Sequence, residues 1–105
     1  MSRLLVLCTV GKVEDAEWIA REVVEQRLAA CVNVLPPITS LYRWKGEVER
    51  NEEVLMLIKT TRERFEALRE AILSMHSYEL PEVIALDITA GSAPYLAWLD
   101  AAVSG

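Results

Sequence analysis

The sequence predicts an α+β domain of the ferredoxin-like β-α-β-β-α-β type, with a mainly antiparallel sheet and one added C-terminal helix. Three observations carry this. The runs Arg3 to Val10 and Val54 to Thr60 are almost uniformly apolar, the pattern of strands buried on both faces. Two other stretches carry apolar residues at spacings of three and four, which makes each the buried stripe of an amphipathic helix. A pair of β-rich runs meets at the short turn Lys45-Gly46-Glu47. With 105 residues, 52% of them hydrophobic and only four glycines and four prolines, the chain reads as one folded domain over 1–105.

In chain order, RLLVLCTV is the first strand and belongs at the centre of the sheet. From Val13 to Ala29 the positions Ala16, Ile19, Ala20, Val23, Val24 and Leu28 form one apolar helix face. The second strand, about Cys31 to Trp44, contains Pro36-Pro37, which donate no ladder hydrogen bonds and so require an edge or a bulge. The third, about Val48 to Thr60, returns toward the sheet centre. Thr60 and Glu63 have capping-box spacing ahead of a helix whose stripe is Phe65, Leu68, Ile72 and Met75. Pro81 holds Leu80 extended before a last strand, EVIALDIT, which Gly91 ends. Ser92 then caps a final helix with Pro94 in its first turn and Tyr95, Leu96, Trp98 and Leu99 along it. Right-handed crossovers set the first strand between the third and the last, with the proline-interrupted strand at the edge. The hairpin strands would extend roughly 45 Å against about 25 Å for the first and last, so a two-stranded ribbon projects beyond the parent sheet. Such a ribbon is marginal alone, and a three-fold ring of chains would satisfy its edges.

Charge excludes some partners. The net charge is −5, and eleven Lys and Arg are scattered among sixteen Asp and Glu, which leaves no basic stripe for nucleic acid. No stretch approaches the roughly 20 apolar residues of a membrane helix, and the first residues lack a secretory cleavage pattern. Cys8 and Cys31 form neither a CxxC pair nor a zinc-ligand spacing, so free thiols and a cytoplasmic location are expected. The P-loop, GxGxxG, GxSxG and HExxH signatures of nucleotide, hydrolase and zincin chemistry do not occur.

His76, the one histidine, stands with Tyr78 and Glu82 at a helix-to-strand corner, which offers an imidazole, a phenol and a carboxylate for acid-base work or metal ligation. Its plainer reading is a helix-end cation beside free carbonyls. Cys31 is a soft ligand or a small buried hydrophobe. Glu47, Glu49 and Glu52 suit the charged protection of an exposed hairpin, with Glu53 set apart from them. Tyr42, Trp44, Tyr95 and Trp98 are aromatic side chains with polar tips, of the kind used in cores and at interfaces alike.

The strings LAACVNV, SLYRWKGEVERNEEVLMLIKTT and HSYELPEVIALDI, followed by Gly91 and YLAWL, together resemble the CutA family of divalent-cation tolerance proteins over nearly the whole chain. The resemblance implies a ferredoxin-like subunit in a tight homotrimer, related in architecture to the PII signalling proteins. It implies an association with tolerance to copper and other divalent metals in bacteria, and with acetylcholinesterase maturation or anchoring in animals. No catalytic activity is established for the family. The matching polar positions are Ser40, Tyr42, Trp44, Gly46, Glu53, Lys59, His76, Tyr78, Pro81, Glu82 and Trp98, with Cys31 in the cysteine position of the AACVN string. Two readings follow. In one, copper or another divalent cation is held by His76 and Cys31 with Glu82 or Glu53. In the other, a PII-like sensor or adaptor takes a small ligand in clefts between subunits lined by Tyr42, Trp44, Lys59, Tyr78 and Trp98, where Lys59, Tyr42, Trp44 and His76 read an anionic or polar compound. An enzyme using His76 and Glu82 as acid and base is a third.

Overall fold

The computed structural model describes residues 2–105. Its elements run β1 (Arg3–Val10), α1 (Val13–Glu25), β2 (Cys31–Val34), β3 (Ile38–Trp44), β4 (Glu47–Thr61), α2 (Arg62–Met75), β5 (Ile84–Asp87) and α3 (Ala93–Val103). The sheet order is β2-β4-β1-β5, with β3 also paired to β4, and every ladder is antiparallel. The apolar runs are therefore the inner strands and the proline-containing segment lies at the edge, as the ferredoxin-like topology predicts.

The predicted second strand is two strands. β2 pairs with β4 as Cys31↔Lys59 through Val34↔Met56, whereas β3 pairs as Ile38↔Glu53 through Trp44↔Glu47. One residue more is used on this side than on β4, and Pro36-Pro37 fall where the register changes, after the Leu35 N–H bonds the Leu55 carbonyl at 2.9 Å. The bulge changes the parity of the strand, so Ile38, Ser40, Tyr42 and Trp44 share a face with the odd-numbered residues of β4. A two-residue turn closes the hairpin, with Lys45 at φ 51° and Gly46 at φ 84°, the pair of positive values a type I′ turn needs.

Helix α1 stops at Glu25 rather than running to Ala29. Arg27 takes φ 60°, its N–H bonds the Val24 carbonyl at 3.1 Å, and the Leu28 N–H bonds the Val23 carbonyl at 2.9 Å, which is a Schellman ending with arginine in the position glycine usually holds. The capping box expected at Thr60 and Glu63 does not form. Thr61 is the N-cap and makes no side-chain cap bond, while the buried Thr60 hydroxyl donates to the Leu28 carbonyl at 2.7 Å. That carbonyl, left over by the early end of α1, is the stronger claimant because it is buried and has no helical partner. The last strand is likewise shorter than predicted, four residues from Ile84, with the Ile88 N–H bonding the Arg3 carbonyl at 2.9 Å beyond it.

One face of the sheet forms the core. Leu4, Val6, Cys8 and Val10 of β1 and Val54, Met56 and Ile58 of β4 pack under Ala16, Ile19 and Val23 of α1 and Leu68 and Ile72 of α2. The opposite face carries Leu5, Leu7, Leu55 and Leu57, half-buried, with Ile84 54% and Leu86 53% exposed beside them. Helix α3 closes only the end of the molecule near Ala30, onto which Leu99 and Val103 pack. The Arg64 guanidinium holds that helix by donating to the Val103 carbonyl at 2.7 Å, and Arg3 grips Asp100 with two bonds of 3.0 and 2.6 Å. The hydrogen bonds from Arg3 hold the Asp100 carboxyl below its usual range. Because the folded value is the lower one, this contribution is present above the unfolded pKa of about 3.9 and is lost as pH falls through the folded value. Asp100→Asn is expected to flatten the stability-pH curve below about pH 4, measured by urea midpoints, and an unchanged slope there would remove the pair from the account.

Candidate functional site

The residues singled out in the sequence divide between two ends of the sheet. At the end of β1 near Val10, the chain leaving α2 folds back over β4. His76 is the C-cap of α2, its backbone N–H bonding the Ile72 carbonyl at 2.9 Å. Its ring turns away from the helix carbonyls: Nε2 lies 2.7 Å from the Thr9 carbonyl oxygen, and Nδ1 accepts the Tyr78 N–H at 3.1 Å. A ring nitrogen that accepts carries no proton, so Nε2 is the donor and the tautomer follows from the partners. Tyr78 packs on the His76 ring with centroids 4.6 Å apart and donates its hydroxyl to Glu53 Oε2 at 2.9 Å. Burial, followed by that bond and the carboxylate's charge, pushes the Tyr78 phenol up, so it stays protonated. Glu53 is 8% exposed. Glu82, exposed on the same side, and Glu53 both act on Cys8, whose thiol is pushed up to about 12, chiefly by burial. Cys8 is a protonated core residue and no ligand. Tyr42, from the hairpin, is close enough to raise the Tyr78 phenol, and its hydroxyl accepts from Asn51. Lys45 at the hairpin tip lies 3.8 Å from Glu79, a second tie between hairpin and loop.

The other end gathers Cys31 and Lys59, beside Ala30 onto which α3 packs. Lys59 Nζ donates to Asn33 Oδ1 at 2.7 Å and lies 4.0 Å from Cys31 Sγ. Cys31 is half-buried and unpaired as a disulfide. Trp98, 48% exposed on α3, packs against Tyr95 with ring centroids 5.3 Å apart. Lys59 lies opposite Leu5 of β1, whereas His76 bonds Thr9, four residues further along, so the two groups stand roughly 13 Å apart along the strand. Trp44 is separate from both, near the ribbon tip with Lys45 Nζ 5.6 Å from its ring centre.

Within one chain the structure therefore brings His76, Tyr78, Glu53 and Tyr42 together, and does not bring Cys31 to His76. No group of three or more His, Cys, Asp and Glu able to hold a metal ion occurs among the described residues. The donors of a single chain thus fall short of the three or four a transition metal requires. Sequence reasoning missed Asn33, Asn51 and the Thr9 carbonyl. Asn33 had a signal, since it breaks an apolar run two residues after Cys31 and so shares its face; the carbonyl had none.

A family model described as CutA1 divalent ion tolerance protein matches residues 4–102. The chain is 50% identical over 95 residues to the divalent-cation tolerance protein CutA of Thermus thermophilus, covering 90% of this chain and 92% of that protein. It is 52% identical over 99 residues to mouse protein CutA, covering 94% of this chain but 55% of the mouse protein. A solved structure of the divalent cation tolerance protein Cut A1 from Thermus thermophilus superposes with a TM-score of 0.95 at 46% identity, over 97% of this chain and 99% of that one. Relatives from Archaeoglobus fulgidus and Arabidopsis thaliana are named periplasmic and chloroplastic respectively. No helix among the described residues is long and apolar enough to cross a membrane.

Proposed function

The chain belongs to the CutA1 divalent ion tolerance family, and on that premise we propose that it acts as a cytoplasmic homotrimer that binds copper or another divalent cation between its subunits. The observation that supports this best is the division of the candidate residues. His76, Glu53 and Glu82 sit at one end of an uncovered apolar sheet face, and Cys31 sits at the other. In a closed three-fold ring the contacts are heterologous, so two different patches of the chain meet at each interface, and in the proposed ring these are the two ends of the sheet face. That arrangement unites a thiol from one subunit with an imidazole and carboxylates from its neighbour, a donor set one chain lacks. Calorimetric titration of the metal-free protein with Cu(II), and with Cu(I) under reductant, tests it. Saturable binding is expected that is lost in His76→Ala and in Cys31→Ser alike; isotherms unchanged in both variants would remove this donor set.

A second reading is favoured by a different observation: both ring nitrogens of His76 are engaged by backbone, and Tyr78 spends its hydroxyl on Glu53. Groups so engaged build the wall of a cleft better than they ligate a metal. The function is then that of a PII-like sensor, with Tyr42, Trp44, Lys59, Tyr78 and Trp98 facing a small ligand between subunits and metal acting indirectly.

A further inference from the structure

Glu53 is the one buried side chain with a formal charge among the described residues, and it lies in a chain of net charge −5. Its hydrogen-bond donor is the neutral hydroxyl of Tyr78, and none of the ion pairs among the described residues includes it. A carboxylate withdrawn from water without an opposite charge is costly to the fold. Its second oxygen has no hydrogen-bond partner among the described residues, and since no fully buried side-chain oxygen or nitrogen there lacks one, that oxygen keeps some exposure to solvent. The geometry is thus a charge held mostly out of water with one acceptor left facing an approach.

What approaches must be cationic. A metal ion fits this corner of one chain poorly, because among the described residues no group of three carboxylate, thiol or imidazole donors converges there and the adjoining phenol holds its proton. Beside this carboxylate lies the ring of Tyr78, and on the same face Tyr42 of the hairpin is bonded to Asn51, two residues from Glu53; their oxygens add acceptors and their rings an electron-rich surface. One carboxylate beside aromatic rings suits a singly charged organic cation, with N–H donors for the carboxylate and a hydrocarbon body to lie against the rings. We infer that the corner formed by Glu53, Tyr78 and Tyr42 binds a protonated alkylamine. This rests on the second reading above, of a small ligand in the cleft, and supplies its chemical class. The bulge at Pro36-Pro37 belongs to the same design, since it sets the parity that turns Tyr42 to the face of Glu53.

The test is calorimetric titration of the assembled protein with n-butylammonium chloride, with sodium chloride at equal ionic strength as the blank. The native chain is expected to give a saturable isotherm. Glu53→Gln, which keeps the size and the bond from Tyr78, is expected to weaken it at least about tenfold, as loss of a charge-assisted bond does. Tyr78→Phe keeps the charge and is expected to weaken it less, so a result survives if either variant assembles poorly. Absence of a saturable isotherm in the native chain, as when a basic side chain of a neighbouring subunit already occupies the corner, overturns the inference. So does equal affinity in Glu53→Gln. A metabolite that binds the native chain and Glu53→Gln equally, but not Lys59→Ala, would overturn the amine while leaving the cleft reading intact; a screen in which no small molecule binds would remove both.

Discussion

Leu57→Arg is expected to leave a single chain of 11.8 kDa in sedimentation equilibrium, at concentrations where the proposed trimer of the native chain would sediment at three times that mass. Leu57 lies at the middle of the uncovered sheet face, paired with Leu7 on one side and Asn33 on the other. Around it Leu5, Leu7, Leu55, Ile84 and Leu86 are half-buried or exposed in one chain, an apolar row across adjacent strands of the kind that interaction surfaces use. Burial of one leucine contributes about 1.5–3 kcal/mol, and an arginine in its place adds the cost of an unpaired charge in an apolar contact. In the proposed three-fold ring that penalty would recur at every interface. The core lies on the other face of the sheet, so the far-UV circular dichroism is expected to stay that of the native fold. A native chain that already sediments as a monomer would sink the assembly, and the shared metal site with it.

The second large effect is on folding. Ile72→Ala is expected to lower stability by about 3–4 kcal/mol, and Leu73→Ala, one residue along, by no more than about 0.5 kcal/mol. Ile72 is 0% exposed and packs α2 on the sheet, whereas Leu73 is 39% exposed on the other side of the same turn. Truncating the first leaves a cavity between rigid elements; truncating the second leaves solvent. At about 4–8 °C per kcal/mol for a domain of this size, the melting midpoints of the two variants separate by more than 10 °C, and near-equal midpoints would mean that α2 packs differently.

Which features were legible in the chain follows from the range of the forces involved. The inner strands could be read because β1 and β4 carry the core on the helix side and a second, half-buried apolar row on the other, which leaves almost every position apolar. The edge position of β2 and β3 followed from two prolines without N–H groups. The end of α1 was not legible. Its apolar spacing continues through Leu28, and only the tertiary contact between the Leu28 carbonyl and the Thr60 hydroxyl rewards stopping at Glu25. The same contact removed Thr60 from the capping box that its spacing to Glu63 suggested.

The candidate site divides along the same line. By itself the sequence singled out the side chains able to carry chemistry: one histidine, two cysteines, a set of aromatic residues with polar tips and, through the family resemblance, Glu53 among the hairpin acids. It determined the fold class too, because periodicity and the punctuation of proline and glycine are local properties. Only the tertiary structure decided what those side chains do. His76 uses both nitrogens on Thr9 and Tyr78, Cys8 is withdrawn into the core, and Glu53 is buried against a phenol twenty-five residues away in sequence. Each outcome depends on a backbone group or a charge brought near by the fold, and a hydrogen bond or desolvation over a few ångströms has no signature in a sequence where its partners are far apart.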